Sequence, residues 1–123
     1  MPNKRVILKI IPKTQNQLLG MHWRSRMRER DRLHAAIDKA MGPYRFGDTQ
    51  GKQRVRIVMH RIRLQDPDNK VASVKYLIDA LRRLGWLVDD TPEFLELEVE
   101  EYRAGHKANV RTEITIEPVS YDH

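Results

Sequence analysis

Apolar residues recur along this chain at two spacings, every second residue or every third to fourth, and the switches between them mark its elements. Arg5 to Ile11 is a β-branched apolar run closed by Pro12, which predicts a strand. A polar loop follows from Pro12 to Gly20. From Arg24 to Met41 the pattern turns helical, with Met27, Leu33, Ala36, Ile37, Ala40 and Met41 on one flank and Gly42-Pro43 as the stop. Tyr44 to Lys52 reads as a loop. Arg54 to Leu64 predicts a long strand, with Val55, Ile57 and Met59 on one face and Arg54 and Arg56 on the other. Its alternation changes phase near His60, which predicts a bulge or twist there. After Asp68, the residues Val71, Val74, Leu77, Ile78, Leu81 and Leu84 fall at three- and four-residue steps, and Gly85 supplies a left-handed cap. Phe94 to Glu100 alternates apolar and acidic, a strand with one face in water. Val110 to Glu117 is the last strand, and Ala104 to Asn109 reads as hairpin-loop material.

The order is strand, helix, strand, helix, then two or three strands. It predicts an α/β (α+β) fold in one domain over residues 1–123, a small mixed sheet of about four to five strands with two main helices. A chain of 123 residues buries roughly two thirds of its unfolded surface, enough for a real core. No repeat, low-complexity tract or inter-domain linker interrupts it.

Composition narrows the chemistry. There is no cysteine, which excludes disulfides, thiolate zinc sites and cysteine nucleophiles. The five histidines are scattered, without zinc-ligand spacing, and no Gly-rich phosphate loop is present. No apolar run approaches the ~20 residues of a membrane span, and the start lacks a secretory pattern, so a soluble cytoplasmic protein is expected. The formal charge of +6 is unevenly spread. Residues 1–64 carry 16 Lys and Arg against 4 Asp and Glu, whereas residues 65–123 carry 7 against 13. A basic half of that size points to a polyanionic partner, nucleic acid first, although basic surfaces also serve solubility.

Within this basic protein, four carboxylates stand at the two ends of the second helical segment: Asp66 and Asp68 in Asp66-Pro67-Asp68-Asn69, and Asp89-Asp90 after Gly85. Pro67 disfavours helical geometry at Asp66, and an extended chain would set Asp66 and Asp68 side by side. Two anions held that close call for a cation. Carboxylate oxygens suit a hard ion such as Mg²⁺, with Mn²⁺ as a substitute, completed by water and phosphate. Lys75 could offset charge on a phosphoryl group. Plainer roles compete: Asp68 or Asn69 as a helix cap, Asp89-Asp90 as a polar turn, Lys75 with Asp79 as an exposed helix pair. Arginines at every second position from Arg24 to Arg32 form either a phosphate surface or a solvated face. Trp23 beside Arg24 suits base stacking or a core anchor.

The set Asp66-x-Asp68-Asn69, Lys75-x-x-x-Asp79-Ala80-Leu81, Gly85 and Asp89-Asp90 resembles the RusA family of Holliday junction resolvases, found in bacteria and their phages. The resemblance implies a small α/β homodimer that uses Mg²⁺ to cut four-way DNA junctions symmetrically in recombination and repair. It implies Asp66, Asp68 and Asp90 as catalytic metal ligands, with Asp89 as a competitor for Asp90. Lys75 takes the place of the catalytic lysine, although the family's lysine stands closer to the Asp-Asn pair, so Lys70 competes with it. DNA contacts are expected from Asn16, Trp23, Arg24, Arg26, Arg28, Arg61, Arg63 and Lys70. A non-catalytic basic DNA-binding protein, of a phage regulatory kind, is the rival reading.

Overall fold

The strictest alternation in the chain makes its central strand. The structure, a computed structural model, describes residues 4–42 and 51–119. Its strands are β1 (Lys4–Leu8), β2 (Gln53–Arg61), β3 (Leu95–Arg103) and β4 (Arg111–Pro118). The helices are α1 (Gln15–Leu19), α2 (Trp23–Met41), α3 (Pro67–Ser73) and α4 (Lys75–Arg83). Among the described residues this is an α+β fold with one four-stranded mixed sheet in the order β1-β4-β2-β3. The β2–β3 pair is parallel and the other pairs are antiparallel. No described helix is long and apolar enough to cross a membrane.

Val55, Ile57 and Met59 of β2 point, with Ile114 and Ile116 of β4, into a core closed by Leu33 and Ile37 of α2 and Leu77 and Leu81 of α4. Each such side chain, fully buried, contributes about 1.5–3 kcal/mol. The opposite face of the sheet is charged, and its charges are matched across strands. Arg54 bridges Glu117 at 3.0 Å and Glu96 at 3.2 Å, and Arg56 meets Glu100 at 2.6 Å. The acidic side of the Phe94–Glu100 alternation is therefore the partner of the β2 arginines.

Several expectations change. The apolar run from Arg5 pairs only as far as Leu8. The predicted loop from Pro12 holds the short helix α1, begun by a reciprocal capping box between Thr14 and Gln17. No bulge occurs near His60, because β2 keeps an unbroken register with both neighbours. The change of phase is a buried arginine: Arg61 continues the core face of Val55, Ile57 and Met59. Residues 104–110 do not close a hairpin. They cross the carboxyl end of β2, where the Ala104 N–H donates to the Arg61 carbonyl at 2.7 Å, and carry the chain from β3 to β4 on its other side. The single helix after Asp68 is two, broken at Val74 (φ −97°, ψ 5°). Ser73 Oγ donates back to the Lys70 carbonyl at 2.7 Å, a contact that loosens a helix turn. Gly85 does take the predicted left-handed turn (φ 87°). It completes a Schellman end in which the Trp86 N–H reaches the Leu81 carbonyl at 2.9 Å. The loop predicted over Tyr44–Lys52 lies largely outside the described residues.

Candidate functional site

Because β2 and β3 are parallel, the chain between them starts at the carboxyl end of β2 and finishes at the amino end of β3. Asp66 and Asp68 stand at the first of these ends. Asp66 occupies the N-cap position of α3 with extended backbone (φ −61°, ψ 143°), as the following proline requires, and its side chain makes no capping bond. Pro67 is the first helical residue, so Asp68 already sits within the first turn instead of alternating with Asp66 along a strand. Both carboxylates are exposed, and neither has a hydrogen bond or ion pair among the described residues. Neither Asp68 nor Asn69 is the cap. The favourable meeting of Asp68 with the helix dipole is the only local role left to it.

Asp89 and Asp90 belong to the other end of the crossover. Asp89 lies 3.9 Å from Arg82 in the last turn of α4, and its carboxylate accepts the Asp90 N–H at 2.8 Å. Trp86 donates to the Gly42 carbonyl at 2.7 Å and packs near Lys4, at the start of β1. The two acidic groups thus bracket strands of nine residues, ~30 Å of extended chain. No group of three or more His, Asp or Glu side chains converges at metal-binding spacing among the described residues. The expectation that Asp90 or Asp89 joins Asp66 and Asp68 is therefore not met within one chain. The exposed carboxylates of Asp66 and Asp68 are hard oxygen donors of the type that Mg²⁺ takes one or two of, with water and phosphate filling the rest of its shell.

Lys75 opens α4, seven residues after Asp68 and on the far side of the break at Val74. Its expected pairing with Asp79 is absent: Asp79 bonds Arg82 at 2.9 Å and lies 3.4 Å from His34. Lys75 is exposed and has no acidic partner among the described residues. Lys70, half-buried in α3, lies close enough to Glu100 to help hold that carboxyl below its ordinary range, after the larger effects of Tyr102 and Arg56.

The basic surface divides into free and neutralised charges. Trp23 is 57% exposed, which overturns the core-anchor alternative, and the Arg24 guanidinium lies over its ring at 5.5 Å. Arg24, Arg26 and Arg28 have no ion pair among the described residues, whereas Arg30 meets Asp31 at 3.0 Å and Arg32 is bound to Glu29 at 2.8 Å. Asn16 is exposed on α1, which packs against α3 and so lies beside the Asp66–Asp68 segment. Arg63 is exposed and, with Lys13, Gln17 and Ile62, lines a cleft of about 670 Å³. Arg61 is the correction: it is 3% exposed and its Nε donates to Glu101 at 2.7 Å, so it presents no charge to DNA. Burial pushes its pKa down, against the opposing pull of Glu101.

Three polar residues, Glu29 and Glu101 with buried side chains and the half-buried Gln65, escaped sequence reading. Glu101 continues the alternation of Leu95, Leu97 and Val99, so two neighbouring strands each end their apolar face in a charge of opposite sign; that pairing was the available signal. Gln65 is held by Glu101 through both its backbone N–H, at 3.0 Å, and its side-chain amide. Glu29 accepts the Lys13 N–H at 2.9 Å and two bonds from Arg32, fastening the Pro12–Thr14 segment to α2. Burial raises the Glu29 pKa, but the bonds from Arg32 and Lys13 outweigh it and leave it below the ordinary 4.5. A depressed carboxyl contributes stability above the unfolded value, lost as pH falls through the folded one. Glu29→Gln is therefore expected to destabilise by about 1–3 kcal/mol at neutral pH and to flatten the loss of stability beneath pH 4.5. Urea titrations of both proteins between pH 3 and 7 measure it, and parallel curves would refute it.

No family model matches the chain, and no curated protein does.

Proposed function

We propose that the chain is an Mg²⁺-dependent endonuclease that acts on branched DNA as a homodimer. The observation that carries this reading is a contrast in pairing. Among the described residues every other carboxylate of the sheet and helices except Asp38 has an arginine within ion-pair distance, whereas Asp66, Asp68 and Lys75 are exposed and unmatched. The unpaired cations Arg24, Arg26, Arg28 and Arg63 supply basic surface for a polyanion, and the motif that these aspartates belong to resembles that of the junction resolvases. A protein that only bound phosphate would gain nothing from exposed, uncompensated carboxylates next to its basic surface. Mg²⁺, when bound, would supply an activated water and neutralise charge on the phosphoryl oxygens. Asp66 and Asp68 hold the ion, Lys75 offsets charge on the leaving oxygen, and Arg24 to Arg28 with Arg63 fix the backbone phosphates. Two copies related by a twofold axis match the symmetry of a four-way junction and of paired cuts.

The deciding assay offers a synthetic four-way junction and a matched linear duplex, each with Mg²⁺ and with EDTA. Symmetric cuts in the junction alone, abolished by EDTA, are expected. Tight binding without cleavage in Mg²⁺ or Mn²⁺ would replace the nuclease with the second reading, a non-catalytic DNA-binding protein, which is favoured by the separation of Asp89 and Asp90 from Asp66 and Asp68. Under either reading the phosphate contacts can be counted. Arg24→Ala, Arg28→Ala and Arg63→Ala should each lower the slope of log affinity against log salt by about one. A slope unchanged in all three would move the DNA surface elsewhere.

A further inference from the structure

The carboxyl end of β2 carries a buried polar chain that ends at the candidate site. Arg61 donates to Glu101, at side-chain exposures of 4% and 5%. Glu101 in turn accepts from the backbone and side chain of Gln65, the residue before Asp66. The Gln65 amide also donates to Ser73 Oγ at 3.1 Å, and Ser73 donates to the Lys70 carbonyl at 2.7 Å. One buried anion thereby grips the end of the β2–α3 loop and, through Gln65, the far end of α3. The residues between Arg61 and Gln65 are exposed, so nothing in the loop itself fixes where Asp66 begins.

A buried ion pair is a poor device for stability, because apolar residues of like volume commonly do as well or better. Its use here must lie in direction. We propose that Arg61, Glu101 and Gln65 are positioning residues, whose shared network sets the place and orientation of the Asp66–Asp68 segment. The proposal rests on the reading of that segment as the metal site, and adds to it residues that never touch metal or DNA. Arg61 thus serves the site from inside, not as the phosphate contact its charge suggests.

The test replaces the pair by apolar residues, Arg61→Met with Glu101→Leu, and in a second variant removes only the amide, Gln65→Ala. Melting temperature, amide hydrogen exchange at Asp68, Asn69 and Lys70, and steady-state junction cleavage are measured for each. The double variant is expected to melt well above Glu101→Leu and no more than a few degrees below the parent, since neither charge is left buried while Gln65 loses its acceptor, and exchange in that segment quickens by about 10-fold or more. Its kcat should fall about 10- to 100-fold with KM for the junction little changed, the scale seen when support behind metal ligands is removed. Gln65→Ala should show the same split while keeping the ion pair, and it decides the matter if the double variant does not fold. Unchanged exchange and kcat in a folded variant would overturn the proposal. A parent protein that cuts no DNA would defeat the functional reading separately. The exchange arm would then still judge the clamp, a rise supporting it and no change overturning it.

Discussion

Asp68→Asn is expected to abolish junction cleavage while leaving junction binding as tight as before or tighter. The substitution keeps the shape of the side chain and removes one charge. That charge has no partner among the described residues, so folding should barely register its loss. Only its interaction with the α3 dipole is forfeited, worth about 0.3–1 kcal/mol at an exposed site. Cleavage should fall by roughly 10²–10³-fold or more, as when a group that stabilises transition-state charge is removed. Binding should strengthen, because an exposed anion beside backbone phosphates repels them until a cation intervenes. Asp66→Asn should behave alike, with less effect on the helix because its side chain makes no capping bond. Cleavage gels, mobility shifts and melting curves on one preparation separate the three quantities. Activity retained would remove Asp68 from the site, and weaker binding together with lower stability would make it a structural residue.

The way each part was legible in the sequence follows from what fixes it. The strands and α2 were readable because their apolar faces repeat at the period of the element; β4 matches that reading to within one residue at each end, while β2 stops at Arg61, short of the predicted Leu64. The capping box of α1 was written in Thr14 and Gln17, but two apolar residues in a short stretch gave no helical period to accompany it. Sheet order was not readable: Ala104 to Asn109 has the composition of a tight turn, yet the partner of β3 is β2. Local composition cannot distinguish a turn that joins neighbours from one that steps over a strand.

The candidate site divides in the same way. The extended backbone of Asp66 before Pro67 followed from proline sterics, but the alternation expected to set Asp68 beside it did not, because Pro67 already begins the helix. Its separation from Asp89 and Asp90 is a property of the parallel crossover, invisible until the β2–β3 pairing is known. Charge proved the least reliable guide, since the arginines from Arg54 to Arg63 read identically in a list of residues. Three dimensions assign them opposite duties: Arg54 and Arg56 neutralise glutamates on the open face, Arg61 lies inside, and Arg63 is left free.

That inner arginine yields the largest expected loss of stability, in a direction that ordinary charge counting would miss. Glu101→Leu is expected to destabilise the protein by about 3–5 kcal/mol, because it leaves a guanidinium buried without a counter-ion. The remaining hydrogen-bond partner of the Arg61 side chain is the Met59 sulfur at 3.3 Å, a weak acceptor, and Glu29 acts on the guanidinium only as an unbonded charge. The same substitution strips the Gln65 N–H of its acceptor, which adds to the loss. Arg61→Met should be milder, since Glu101 keeps both donors of Gln65 and the segment before Asp66 stays tied. The double variant should be milder still than Glu101→Leu, because neither charge remains to be desolvated. For a domain whose whole stability is about 5–15 kcal/mol, the single loss would bring Glu101→Leu close to unfolding at ambient temperature. Urea denaturation of the four proteins closes the cycle. A double variant as unstable as the sum of the single ones would mean that Arg61 and Glu101 act independently, and the pair could not then be the clamp on Gln65. A coupling of several kcal/mol, with Glu101→Leu the worst of the three, would identify the glutamate as the centre on which both the arginine and the start of the acidic segment depend.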